Sequence, residues 1–167
     1  MKIGLFIGRF QPFHLGHLDG LNQVLKECEK VIIGIGSAED SFLPENPFTT
    51  RERFQMIEKT LKEKKIPENR YNIIPIRNIQ NYALWTRHVE LLTPPFDTVY
   101  SGSFIVRKLF NEYGKCEVKK ITMQKNINAT SIRKKMLSDE NWQKFVPKVV
   151  ADFILKIDGI NRMKNIQ

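Results

Sequence analysis

Short apolar runs that are typical of buried strands alternate with helical patterns along the whole of this 167-residue chain. The runs predict strands at residues 3–7, 31–35, 71–76, 98–100 and 118–123. Because a helix between two consecutive strands allows them to lie parallel, the alternation favours right-handed βαβ units. The predicted fold is therefore α/β, an open parallel β-sheet with helices on both faces, in a single domain over residues 1–167.

Helix signals fill the segments between these strands. Apolar residues recur at helical spacing over residues 18–28, and Thr49 lies three residues before Glu52, which is the spacing of a capping box. Further helical patterns cover residues 82–92, residues 104–113 and the C-terminal tail from residue 129 onward.

The loops that follow the predicted strands are the places to look for a site, because open parallel sheets bind ligands beyond the carboxyl ends of their strands. These loops are residues 8–17, 36–50, 77–85, 101–103 and 126–133.

The first of these loops carries two of the three histidines of the chain, His14 and His17. A helix N-terminus has unpaired amides and a partial positive charge, so a strand, a tight turn and a helix start suit a nucleotide phosphate. Gly8 would let the backbone approach the ligand, and Gly16 would leave room for phosphate between the two imidazoles. Two other interpretations stay open: a metal pair, for which two ligands are too few, and histidines incidental to a helix end.

A second candidate cluster lies at residues 128–135, where a helix start combines with basic side chains. Asn128 or Thr130 can cap the helix, and Arg133 can form a two-bond fork with phosphate oxygens. The alternative is an ordinary capped helix with a basic, solvated face. Since this segment and the histidine loop both follow strands, we predict that the two histidines and Arg133 converge on one triphosphate.

The charge balance narrows the class of partner. The 27 Lys and Arg residues outnumber the 18 Asp and Glu residues, and the net charge of +9 favours polyanionic ligands such as ATP. Solubilising lysines on exposed helix faces would give the same balance. No aromatic-rich RNA-stacking segment is visible, so we expect no nucleic-acid partner.

Cys28 and Cys116 lack the spacing of metal or redox sites, which favours a reduced, cytoplasmic protein. No apolar segment approaches the ~20 residues that cross a bilayer, so we expect no membrane partner.

These segments resemble the HxGH nucleotidyltransferase superfamily and, within it, the archaeal-type nicotinamide-nucleotide adenylyltransferases. The resemblance runs in order through nearly the whole chain, in blocks at residues 8–17, 35–38, 46–49, 83–85, 92–97, 99–102 and 134–137. It implies a Rossmann-like fold and an in-line attack by nicotinamide mononucleotide on the α-phosphorus of ATP, which gives NAD and pyrophosphate. It also implies Mg²⁺, held mainly by substrate phosphates and water without protein ligands, and a homo-oligomer, since hexamers are common in the family.

The resemblance and the residue types together assign roles. We expect His17 at the α-phosphate, His14 along the phosphate chain and Arg133 at the leaving phosphates, and these three residues form the catalytic set. The expected ATP-binding residues are Gly8, Arg9, Phe10, Gly16, Ser101, Gly102, Asn128 and Thr130. The expected acceptor-binding residues are Ser37, Tyr82 and Trp85. Trp85 would pack on the nicotinamide ring, although its position on an apolar helix face is equally typical of a core residue.

Four positions depart from the pattern of the family. Phe42 stands where a histidine is common, Tyr82 and Ser103 each replace an asparagine, and Asn128 replaces a serine or threonine. Phe42, Tyr82 and Ser103 fall in loops that we expect to line the pocket. The alternatives are therefore transfer to another phosphomonoester, such as flavin mononucleotide or phosphopantetheine, and a non-catalytic nucleotide-binding protein.

Overall fold

The computed structural model describes residues 1–122 and 127–167. Its strands are β1 (Ile3–Gly8), β2 (Lys30–Ile35), β3 (Tyr71–Pro75), β4 (Thr98–Ser101) and β5 (Glu117–Lys120). They form one parallel sheet in the order β3-β2-β1-β4-β5, so the predicted open parallel sheet is confirmed. Met123, predicted as the end of the fifth strand, and Asn126, predicted as the start of the last loop, lie outside the described residues.

The helices follow the predicted pattern, with shifts at their ends. They are α1 (Leu15–Glu27), α2 (Thr50–Glu63), α3 (Tyr82–Leu92), α4 (Phe104–Tyr113), α5 (Ala129–Leu137), α6 (Lys148–Lys156) and α7 (Gly159–Asn165). The predicted capping box begins α2: Glu52 N donates to Thr49 Oγ1 over 3.2 Å, and Thr49 N donates to Glu52 Oε2 over 2.9 Å. In the described ranges, no helix is long and apolar enough to cross a membrane.

The chain forms two compact units. Unit 1 comprises residues 1–9, 19–38 and 67–122, which hold the sheet, α3, α4 and most of α1. Unit 2 comprises residues 10–18, 39–66 and 127–167, which hold residues 10–17 of the histidine loop, the first turn of α1, and α2 and α5 to α7. In unit 2, α6 packs against α2 and α7, and α7 also packs against α5.

Helices cover both faces of the sheet in unit 1, as predicted. One face packs against α3 and α4 through a buried cluster: Leu5, Ile7, Ile32, Ile76, Val89, Val99 and Phe110. On the other face, a Cβ added at Gly4 would lie only 2.7 Å from Val24 Cγ1 of α1. The alternation of side chains along β1 therefore divides the core between the two layers of helices.

The strand order places a crevice at the carboxyl end of the sheet. β1 pairs with β2 on one side and with β4 on the other, so the connections that leave these strands run in opposite directions. Ligands of open parallel sheets bind at such a topological switch point.

Candidate active site

A cavity of about 560 Å³ lies at this end of the sheet in unit 1. The ends of the strands and the loops that follow them supply much of its lining. Gly8 ends β1 and Arg9 follows it, and the later loops contribute Gly36, Ser37, Arg77, Asn78 and Ser103. Its volume falls in the range of small-molecule sites. Of the predicted site residues, the cavity brings together Gly8, Arg9, Ser37, Tyr82 and Trp85.

Trp85 lies both against the core of unit 1 and at the cavity. Its ring lies 5.8 Å from the ring of Phe110 in an edge-on arrangement, which anchors it in the core of unit 1. The same residue lines the cavity, as does Tyr82, whose side chain is exposed. The two residues can therefore offer aromatic surface to a ligand, and their acceptor-binding role stays a prediction.

Sequence reasoning missed several lining residues, among them Arg77, Asn78 and Ile105. Arg77 and Asn78 lie directly after β3, so the position at a strand end was a signal that could have found them. Together with Arg9, Arg77 gives the cavity a cationic lining, and the described residues that line it include no aspartate or glutamate. This composition favours an anionic ligand.

Ser101 and Gly102 do not line this cavity, whereas Ser103 does. Ser101 is buried and shapes the turn into α4, because its Oγ accepts from Ser103 N over 3.1 Å and its carbonyl accepts from Arg107 Nη1 over 3.0 Å. The ATP-binding role of Ser101 and Gly102 stays a prediction.

Phe42 was expected in a loop that lines the pocket, and this stays a prediction. Phe42 belongs to unit 2 and is absent from the lining of the cavity. Its ring lies 5.1 Å from the guanidinium carbon of Arg162, which Glu52 holds through a 2.7 Å ion pair. The phenylalanine that replaces the common histidine at this position thus makes a cation–π contact within unit 2.

In unit 2, the two histidines of the loop cap α1. His17 N donates to His14 Nδ1 and His14 N donates to His17 Nδ1, both over 3.2 Å. Leu18 N donates to the carbonyl of His14, so His14 is the N-cap residue and His17 stands three positions later. The arrangement is a capping box in which two imidazoles replace the usual hydroxyl and carboxylate.

This capping box corrects the expectation for Gly16. The two imidazole rings stack directly, with centroids 3.5 Å apart and planes inclined by 20°, so no phosphate fits between them. Each Nδ1 accepts a backbone hydrogen bond, which places the proton of a neutral ring on Nε2. The pair can therefore donate to an anion through its Nε2 atoms.

Burial keeps both rings neutral. It lowers the pKa of His14 to about 4, and it lowers the pKa of His17 well below the usual value, with a smaller contribution from the proximity of His14. The rings of Phe10 and Phe13 lie 4.8 Å and 5.6 Å from that of His17. Phe10 is almost fully buried and has a left-handed φ of 53°, so it supports His17 from within the loop.

The structure brings Arg133 to the histidine loop, as predicted. Arg133 lies on α5, is 7% exposed, and donates from Nη1 to the carbonyl of Gln11 over 2.9 Å. The predicted cap is also present: Asn128 Oδ1 accepts from Ser131 N over 2.8 Å. Thr130 is exposed in the first turn of the same helix. Unit 2 thus gathers neutral imidazole donors, a guanidinium and a helix N-terminus, a set that suits phosphate groups.

Comparisons with known proteins agree with this chemistry. The model of the cytidylyltransferase-like family matches residues 5–142. The chain is 47% identical to the nicotinamide-nucleotide adenylyltransferase of Methanococcus vannielii over 161 residues, which cover 96% of this chain and 92% of the relative. It is 44% identical to the enzyme of the same name from Archaeoglobus fulgidus over 165 residues, which cover 96% and 95%.

Among solved structures, the chain is similar to a bifunctional NMN adenylyltransferase/ADP ribose pyrophosphatase from Francisella tularensis, crystallised with AMP and a manganese ion. The TM-score is 0.75 at 27% identity, and the match covers 92% of this chain and 49% of the other. This chain therefore corresponds to about half of that bifunctional protein.

Proposed function

The chain belongs to the cytidylyltransferase-like family, and we propose that its histidine loop, Thr130 and Arg133 bind the phosphates of ATP while the cavity of unit 1 binds the acceptor. Its reaction transfers the adenylyl group of ATP to nicotinamide mononucleotide and gives NAD and pyrophosphate. Relatives that carry the name of this activity are 41–47% identical over nearly the full chain. The observation that carries the assignment of the phosphate site is the bond from Arg133 to the histidine loop.

The reaction needs no protein nucleophile. An oxygen of the acceptor phosphate attacks the α-phosphorus of ATP, a new P–O bond forms, and the bond to the bridging oxygen breaks as pyrophosphate leaves. Because two anions must meet in line, neutralisation of charge and alignment supply most of the catalysis.

The histidines serve this reaction as oriented neutral donors. His17 Nε2–H donates to the α-phosphate and His14 Nε2–H to the phosphate chain. Since the capping box and the ring stack hold both imidazoles in place, little reorganisation accompanies the transfer. Arg133, with Thr130, holds the β- and γ-phosphates as negative charge builds on them, and Arg9 assists from the end of β1.

Mg²⁺ is the proposed cofactor. In the parts of the chain that the structure describes, no three His, Cys, Asp or Glu side chains are grouped to hold a metal. The proposed main ligands are phosphate oxygens of ATP and water, because this ion prefers oxygen and retains part of its hydration shell. When bound, it supplies charge neutralisation of the triphosphate.

The test is NAD formation from ATP, nicotinamide mononucleotide and Mg²⁺ in an assay coupled to NAD reduction. Nicotinic acid mononucleotide, flavin mononucleotide and phosphopantetheine are then compared as acceptors by pyrophosphate release. We expect turnover with the nicotinamide nucleotide. Tight ATP binding without turnover of any acceptor would instead support a non-catalytic nucleotide-binding protein.

A homo-oligomer is part of the proposal. Large exposed apolar residues of unit 1 also lie on α3 and α4 away from the lining of the cavity: Leu84, Leu91, Leu92, Phe104 and Tyr113. Exposed apolar surface is typical of association sites, and copies of this chain would bury these residues on contact.

A cytoplasmic location is also proposed, since the thiols of Cys28 and Cys116 are free, as in a reducing compartment.

A further inference from the structure

The side chain of Gln11 is buried, and both its amide nitrogen and its amide oxygen form hydrogen bonds within the protein. The residue is 1% exposed. Its Nε2 donates to the carbonyl of Phe48 over 2.9 Å, and its Oε1 accepts from Phe48 N over 3.0 Å. This pair of bonds, called here the Gln11 clamp, satisfies both backbone groups of a residue that is itself fully buried.

The backbone carbonyl of Gln11 makes a third hydrogen bond, to another residue. The carbonyl accepts the 2.9 Å bond from Nη1 of Arg133, and this bond is buried. Gln11 also precedes His14 by three residues. The residue therefore joins the segment before α2, the guanidinium on α5 and the loop that carries the two histidines.

We propose that Gln11 is a positioning residue for adenylyl transfer: the Gln11 clamp holds the residue 11 carbonyl where it orients the guanidinium of Arg133. This inference rests on the proposed function. Gln11 touches no reacting atom, and it acts through Arg133.

The geometry explains why a clamp of this kind is needed. A single hydrogen bond leaves a residue free to rotate about it, whereas two bonds from one planar amide to the N–H and the carbonyl of one residue restrict both distance and orientation. The head of a glutamine presents a donor and an acceptor side by side on one plane, which matches the acceptor and the donor of the Phe48 backbone. Without the clamp, the N–H and carbonyl of Phe48 lose their partners in a buried place, so the surrounding backbone must shift. A shift of about 1 Å in a positioning group can lower turnover roughly a hundredfold.

The test is a double-mutant cycle with Gln11→Met and Arg133→Ala, measured as kcat and KM for ATP. Gln11→Met removes both bonds with little change of volume. We expect it to lower kcat at least tenfold while KM for ATP changes less than threefold. In the Arg133→Ala background it should lower kcat less than threefold further, because the guanidinium through which Gln11 acts is gone.

The chain offers a matched control in Gln23. Its side chain makes the same two-bond arrangement with one backbone unit, donating to the carbonyl of Thr122 over 2.5 Å and accepting from Thr122 N over 3.2 Å. This clamp is exposed and belongs to unit 1. Gln23→Met should change kcat less than twofold.

Each outcome decides the proposal. A Gln11→Met variant that loses thermal stability but keeps the kcat of the wild type would make Gln11 merely structural, and so would effects that multiply in the double variant. If Gln11→Met does not fold, Gln11→Glu, which keeps the acceptor for Phe48 N, enters the same cycle, and failure of both to fold also overturns the proposal. Wild-type protein that forms no NAD contradicts the proposed function instead, and that measurement is made first.

Discussion

Each loop histidine uses its two ring nitrogens for different purposes. Nδ1 accepts a hydrogen bond from a backbone amide at the start of α1. Nε2 carries the proton and can donate a hydrogen bond to a phosphate oxygen. Substitution of either histidine by alanine therefore removes helix capping and phosphate binding together. A substitution that keeps the capping acceptor is needed to separate the two effects.

The first prediction at this scale concerns His17. His17→Ala should lower kcat more than tenfold and change KM for ATP less than threefold, because the Nε2–H bond is strongest when charge develops at the α-phosphate. Steady-state kinetics with nicotinamide mononucleotide measures both values. His17→Asn, which keeps an acceptor for His14 N but not the Nε2 donor, should lose kcat equally while retaining more thermal stability. A loss smaller than about tenfold, ~1.4 kcal/mol, would remove His17 from the transition state.

The second prediction concerns the shape of the cation on α5. Arg133→Lys keeps the charge but replaces a planar fork with a point charge that cannot both bond the carbonyl of Gln11 and grip the leaving phosphates. We expect kcat to fall at least tenfold in pyrophosphate-release assays. Arg51→Lys, at an exposed position on α2, is the matched control and should behave as wild type. Normal turnover of Arg133→Lys would contradict the leaving-group role.

At the scale of elements, the N-terminus of α1 links protein stability to pH. Burial lowers the pKa of His14 to about 4, below its ordinary value of 6.5. As pH falls through 6.5, the unfolded chain binds a proton at this residue before the folded protein does. The stabilisation is therefore complete above pH 6.5 and is lost as pH falls toward 4.

The third prediction follows from this titration. Between pH 7 and pH 5, His14 should account for a decrease of about 2 kcal/mol in the free energy of unfolding, measured by urea denaturation. His14→Asn, which retains a capping acceptor without a titratable ring, should show a correspondingly weaker pH dependence. Equal pH dependence in the two proteins would contradict the neutral, buried state of His14.

At the scale of the whole molecule, the fourth prediction addresses assembly. Leu91 is 71% exposed on α3 and is one of the exposed apolar residues of the proposed contact. Sedimentation velocity should find the wild type as an oligomer, and Leu91→Lys should shift it toward smaller species because a charge would then be buried in the contact. Leu155→Lys, at an exposed leucine of α6, should leave the distribution unchanged. A monomeric wild type would contradict the proposed oligomer.

The sequence alone determined the architecture and the chemistry. Periodicity depends on which face of a strand or helix is buried, a local property, so the alternating runs predicted the five strands of the described sheet and their parallel arrangement. The cap at Asn128 and the box at Thr49 were also local, since both join residues three apart. Where these predictions erred, they did so at element ends, as at β5.

Only the tertiary structure decided how the site is held together. The Gln11 clamp on Phe48 joins residues 37 positions apart, and the bond from Arg133 to the carbonyl of Gln11 joins residues 122 positions apart, so no local spacing encodes either contact. Arg77 at the cavity is a similar case, because several residues follow β3 and only packing selects those that line it. Sequence patterns indicate which residues are buried and which hydrogen bonds their side chains can form. Distances between residues far apart in the chain arise only when the whole core packs at once.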